Sequence, residues 1–188
     1  MRKMLGSALV AAALVAAPAV AAAQAAAHGA AKHEFGVDLA FAYSSPDGGD
    51  GFFQIFSPVD LRVGFISGEK MTIEPRLGIA YTSDVTGGGG GDSGYDFGLG
   101  LNLTYGMSPG GNRSGLYLTG GAAIELVDFG GGTNGSLISL NAGVGTRSAY
   151  GSGAFRPEAF FRYDLENTDL GSPSVMSFGL RLGLSLWH

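Results

Sequence analysis

The sequence predicts an all-β fold, an eight-stranded antiparallel up-and-down transmembrane β-barrel, and three observations carry that reading. Eight stretches alternate apolar with polar or small residues, an export signal opens the chain, and the last stretch, FGLRLGLSLWH, runs to the C-terminus. There Phe178, Leu180, Leu182, Leu184 and Leu186 share one face, and Gly179, Arg181, Gly183 and Ser185 share the other. Strict period-two alternation defines a strand with one apolar and one polar face. Behind an export signal, such strands close into a barrel with lipid outside and polar groups inside. The expected location is a bacterial outer membrane.

The strands follow in order. The first runs from Glu34 to Tyr43, with Phe35, Val37, Leu39, Phe41 and Tyr43 outward. The second covers Phe53 to Phe65 (Val59, Leu61, Val63 and Phe65 outward), and the third Met71 to Tyr81 (Ile73, Leu77, Ile79 and Tyr81 outward). In the fourth, Tyr95 to Tyr105, every odd position is aromatic or Leu. The fifth, Leu116 to Leu126, has the weaker outer face, because Gly120 and Ala122 lie on it. The sixth, Leu137 to Thr146, turns Ile138, Leu140, Ala142 and Val144 outward; the seventh, Phe155 to Tyr163, turns Phe155, Phe161 and Tyr163 outward. The eighth is Val175 to Trp187. Each supplies the roughly 9–11 residues of a tilted membrane strand. Pro58 and Pro75 remove ladder donors, so bulges are expected at both.

Before the strands, Arg2 and Lys3 precede an apolar run from Leu5 to Val20 and a small-residue site at Ala21–Ala23. This pattern is a secretory signal peptide over residues 1–23, with a second possible cleavage after Ala27. Residues 24–33 read as a flexible Ala-rich tether, and 34–188 as one barrel domain. No later apolar stretch reaches the ~18–20 residues of a membrane helix. The 34 glycines fit many turns and a narrow lumen. The chain has no Cys, which excludes disulfides, lipoprotein processing and thiol chemistry. Without Arg2 and Lys3, the 11 basic residues fall to 9 against 16 acidic ones, a balance of −7. Such a surface argues against nucleic acid as a partner.

The connections alternate in length. SSPDGGDG, SDVTGGGGGDSG, VDFGGGTNGS and ENTDLGSPS are longer; SGEK, the segment around PGGNRS, and AYGSG are shorter. Long loops face outside and short turns face the periplasm in such barrels, so both chain ends are expected in the periplasm.

The strings PVDLRVGFISGEKMTIEPRLGIAYTS and FRPEAFFRYDL, with the alternating C-terminal strand, resemble the small bacterial outer-membrane β-barrel proteins of the porin-like superfamily (outer membrane protein β-barrel domain). The resemblance covers Glu34 to the end and rests on pattern more than on one motif. It implies insertion by the barrel-assembly machinery into outer-membrane lipid. Roles within that family range over adhesion, envelope stability and narrow pores. The chain departs from the family at its end, where His188 holds the in-phase terminal position and Trp187 is out of phase.

The inward positions are charged: Glu34, Asp38, Asp60, Arg62, Glu74, Arg76, Asp96, Glu125, Arg147, Arg156, Glu158, Arg162, Asp164 and Arg181. Charges enclosed singly are costly, so they should pair. Asp60, Arg62, Glu74, Arg76, Arg156, Glu158, Arg162 and Arg181 are the candidate interior ion-pair network, and a salt-bridged plug is favoured over an ion path. In the second hairpin, opposite charges face one another if Arg62 stands opposite Glu74 and Asp60 opposite Arg76, closed through Ser67, Gly68 and Glu69. The alternative register sets Arg62 against Arg76, and like charges directly opposite are unfavourable.

Catalysis by a Ser–His pair finds no support. The three histidines, His28, His33 and His188, lie near the chain ends and off the expected strands, and no GxSxG elbow occurs. The long loops carry Asp47, Asp50, Asp84, Asp92, Asp128, Glu166 and Asp169 without Lys or Arg. Carboxylates of that kind can hold Ca²⁺ or Mg²⁺, but a solvated loop is the favoured reading, and no metal or cofactor is expected. The expectation is a monomer with a structural or surface-interaction role and a plugged lumen. The alternative is a narrow low-conductance porin. A periplasmic lipocalin-like ligand carrier, with the two faces reversed, is less favoured. Three features stand against the carrier: near-balanced charge on one face, a C-terminal strand, and aromatics near strand ends (Phe35, Tyr43, Tyr81, Tyr95, Tyr105, Tyr163, Trp187) as in interface girdles.

Overall fold

The structure, a computed structural model, describes residues 32–83, 93–109, 113–128 and 134–188. Of residues 54–59, 80–83, 93–95, 127–128 and 134, only the backbone is described. The signal peptide, the tether up to residue 31 and the Gly-rich stretch around Asp84 and Asp92 lie outside the described residues.

Eight strands form one closed antiparallel barrel in sequence order: β1 (His33–Pro46), β2 (Phe52–Ser67), β3 (Met71–Ser83), β4 (Ser93–Gly106), β5 (Gly115–Asp128), β6 (Asn134–Tyr150), β7 (Gly153–Asp164) and β8 (Val175–Trp187). Closure of β1 on β8 leaves no free edge, so every ladder has a partner. β1 begins one residue earlier than expected, at His33, which pairs with Phe65. Ladder partners followed around the wall from His33 pass through Phe65, Ile73, Leu103, Gly120, Ala142, Phe161 and Phe178. They return to β1 at Tyr43, an offset of 10 residues (33 to 43). That stagger requires strands tilted about 35–45° to the barrel axis.

The two faces separate as the alternation requires. Leu99, Leu101 and Leu103 on β4, Ile124 and Leu126 on β5, Ile138 and Leu140 on β6, and Phe178 to Leu186 in steps of two on β8 are exposed on the outer wall. Among the described residues, no Asp, Glu, Lys or Arg side chain occupies an outward strand position. A water-soluble surface does not carry a continuous apolar band of this kind. It is a lipid-facing belt, and the strands of 12 to 17 residues are long enough to span it. The reversed faces of a soluble ligand carrier are thereby excluded.

One bulge expectation holds, and two expectations need correction. Pro58 does accompany a bulge: Asp38 pairs with Asp60 but Ala40 with Phe56, so Leu39 faces the widened stretch that contains Pro58. Pro75 does not, since it keeps register with Leu101 and the β2–β3 ladder is unshifted on either side of it. Trp187 is not part of an outer girdle. It is 7% exposed and packs inside with Ala149 and Ala154, forming an apolar floor at the end of the lumen nearest the chain termini.

Candidate functional site: the lumen

The inward residues divide the lumen into two unequal halves. The half near the chain ends is filled by Glu34, Asp38, Asp60, Glu74 and Glu158 against Arg62, Arg76, Arg147, Arg156 and Arg181. Every one of these ten takes part in an ion pair.

The network begins at Glu34, the first inward residue of β1. It accepts from Arg62 Nη1 at 2.6 Å and Arg156 Nη1 at 3.1 Å, and Arg147 Nη2 lies 3.1 Å from its second oxygen. Arg62 also reaches Asp38 Oδ1 at 3.1 Å and the Ser185 hydroxyl at 3.0 Å. Asp38 in turn accepts from Arg76, which donates to Asp60 Oδ2 at 2.8 Å. Signs therefore alternate from Glu34 to Asp60 across β1, β2 and β3. On the far wall, Glu74 accepts from Arg156 at 2.9 Å and Arg147 at 3.4 Å. Arg181 donates to Glu158, whose other oxygen accepts from the Tyr117 hydroxyl at 3.0 Å. Arg156 and Arg147 lie over the Tyr117 ring at 4.8 and 5.5 Å from its centroid, and Arg181 lies over Phe160 at 4.8 Å. These faces favour cations held out of water.

Glycines make room for the charged heads. A Cβ on Gly36 would stand 2.2 Å from Arg62 Nη2, and one on Gly183 would stand 2.1 Å from Asp38 Oδ1. Small inward residues on β1 and β8 are thus a condition of the ion pairs, not slack in the wall.

The loop-side half is open by comparison. Arg162 donates to Glu125 Oε2 and Asp164 Oδ1, both at 2.6 Å, and Asp96 Oδ1 is enclosed without a hydrogen-bond partner among the described residues. A cavity of about 90 Å³ lies between this rim and the plug, walled by Gly78, Gly98, Gly100 and Ala123 and floored by Asp60, Arg76 and Arg181.

All eight candidate network residues face the lumen, and Asp60 pairs with Arg76 as expected, but it does so diagonally, in a register that differs from the expected one. Arg62 stands opposite Arg76 and Ser67 opposite Met71, so the hairpin closes through Gly68, Glu69 and Lys70, with Gly68 at φ +66°. Arg62 does not meet Glu74. The like-charge rung is tolerated because β1, on the other side of β2, places Asp38 between the two guanidinium groups. In a closed barrel this narrow, inward side chains share one lumen, so partners need not come from the neighbouring strand. Glu34, Asp38 and Arg147 belong to the network core, although only their inward phase was legible. Tyr117 was missed; its signal was an aromatic residue in the inward phase of β5, beside Thr119 and Gly121. Among the described residues, no group of three His, Asp or Glu could hold a metal ion, so the acidic loops gain no support as a cation site.

No protein-family model and no curated protein matches the sequence. Solved structures do match. Neisserial surface protein A is 17% identical at a TM-score of 0.56, covering 85% of this chain and 99% of that one. The attachment invasion locus protein Ail of Yersinia pestis is 14% identical at 0.49, covering 82% and 97%. OprG of Pseudomonas aeruginosa is 12% identical at 0.47, covering 86% and 98%. The outer belt, the charged lumen and the likeness to Neisserial surface protein A agree: the chain has the fold of the eight-stranded bacterial outer-membrane β-barrels.

Proposed function

We propose that this protein is a monomeric outer-membrane barrel with a structural or surface-interaction role, its lumen closed by ion pairs and no solute path through it. The observation that carries the reading is the balanced plug, five carboxylates against five guanidinium groups, all paired. An eight-stranded barrel leaves an interior just wide enough for its own side chains, and here they fill the half next to the periplasm. The Trp187 floor lies beneath them. What remains free to interact is the far end, where Asp47, Asp50, Glu166 and Asp169 are exposed.

The alternative, a narrow pore, draws on the cavity of about 90 Å³ in the loop-side half. Planar-bilayer recording separates the two. The plugged reading expects silence from the wild type. It expects steps of current only after the mid-height pair is removed, as in Glu158→Ala with Arg181→Ala. Steady single-channel steps from the wild type would favour the pore.

A further inference from the structure

The barrel closes where β1 meets β8, and the last rung of that seam is a pair of histidines. The His33 amide donates to the His188 carbonyl at 3.1 Å, and the His188 amide donates to the His33 carbonyl at 3.0 Å. Two residues that exchange both bonds are directly opposed, with Cα atoms about 5.5 Å apart and side chains on one face. That face is the outer one, for His33 continues the line of Phe35 and Val37, and His188 that of Leu184 and Leu186. Both histidines are exposed at the rim, past the end of the lipid belt.

We propose that His33 and His188 together bind one divalent transition-metal ion, which clips the first strand of the barrel to the last. Neutral imidazole is the commonest protein ligand for such ions, and opposed positions on an antiparallel ladder bring two of them within reach of a single ion. No Asp, Glu or further His makes a third ligand with them among the described residues. Water therefore completes the shell, and selectivity follows the intrinsic order, with Cu²⁺ ahead of Ni²⁺ and Ni²⁺ ahead of Co²⁺. Ca²⁺ and Mg²⁺, which require oxygen ligands, are not taken. The His33 ring meets Phe65 edge-on, with centroids 5.7 Å apart, on the β2 side of β1. Binding turns the ring toward β8 and gives up that contact, so Phe65 opposes the metal.

The test is calorimetric titration of the full chain, folded in detergent micelles at neutral pH, with CuCl₂ and separately with NiCl₂. One ion per barrel is expected, bound at least tenfold more weakly in His33→Ala and in His188→Ala, unchanged in His28→Ala, and more tightly in Phe65→Leu. Heat-modifiable gel mobility shows that each variant still forms the barrel. Bound Cu²⁺ should also raise the temperature at which the wild-type band shifts, an effect absent from both rim variants. The proposal is overturned if the wild type binds neither ion, if either rim variant binds as the wild type does, or if His28→Ala alone abolishes binding. One ion per two barrels would equally overturn the clip, because the pair would then bridge copies.

Discussion

The two halves of the lumen are built from the same eight strands yet obey different rules. Near the chain ends, Arg62, Arg147, Arg156, Glu34 and Glu74 are at most 3% exposed and each carries at least two ion pairs. Near the loops, Arg162, whose side chain is 17% exposed, pairs with two carboxylates, Glu125 and Asp164. Glycine also works in opposite senses. On β1 and β8 it lets a guanidinium or a carboxylate press against the wall, whereas on β3 and β4 it leaves a cavity. The lower half is a filled, neutral solid; the upper half is an acidic vestibule. The difference teaches that inward charge alone does not define a pore or a plug. What decides is whether the small residues are matched by long side chains opposite them.

The contrast breaks most readily at Arg156. Its replacement by Ala removes the guanidinium that bridges Glu34 and Glu74 and leaves Arg147 alone between them in a closed space; removing one member of a buried pair costs about 3–5 kcal/mol. Urea unfolding in lipid vesicles should show that loss; a loss below 1 kcal/mol would mean that water already fills the plug. Close behind is Trp187→Ala, expected to destabilise by about 3 kcal/mol or more, as for other buried aromatic truncations. Trp187 is the only tryptophan of the chain. Its wild-type emission should therefore be blue-shifted and unquenched by brominated lipid, and strong quenching would return the residue to the outer girdle.

A smaller and more selective comparison uses two glycines. Gly36→Ala forces Arg62 from its seat and should cost about 1–3 kcal/mol, as overpacking does. Gly98→Ala meets nothing closer than the Glu125 Cγ at 3.4 Å, so its effect on unfolding should be slight. Equal effects from the two would remove the distinction between the halves. Of the two arginine variants the smaller change is expected for Arg162→Ala, about 1 kcal/mol, because its pairs are partly exposed beside the cavity and are screened more than those of Arg156. A salt titration checks this: raising ionic strength should erase the Arg162 effect and leave the Arg156 effect intact.

The sequence by itself determined which face of each strand is which. Period-two alternation is local, and an arginine such as Arg181 on the lipid face would cost about 2–4 kcal/mol at mid-membrane, so the choice between faces was never close. The strand count and the inward phase of the charged residues followed from the same pattern; the missing donor of proline marked a bulge at Pro58 and wrongly marked another at Pro75. Register and partnership did not. Reasoning from one hairpin set Arg62 opposite Glu74, whereas Arg62 binds Glu34 and Asp38 on β1, and Glu74 binds Arg147 and Arg156 on β6 and β7. Trp187 was out of phase with the outer face yet was read into the girdle, and its use as a floor emerged only with Ala149 and Ala154 beside it. The physical reason is closure. A strand's pattern states which side chains enter the lumen, but only the stagger of all eight strands sets the height at which each arrives, and hence which charge it meets.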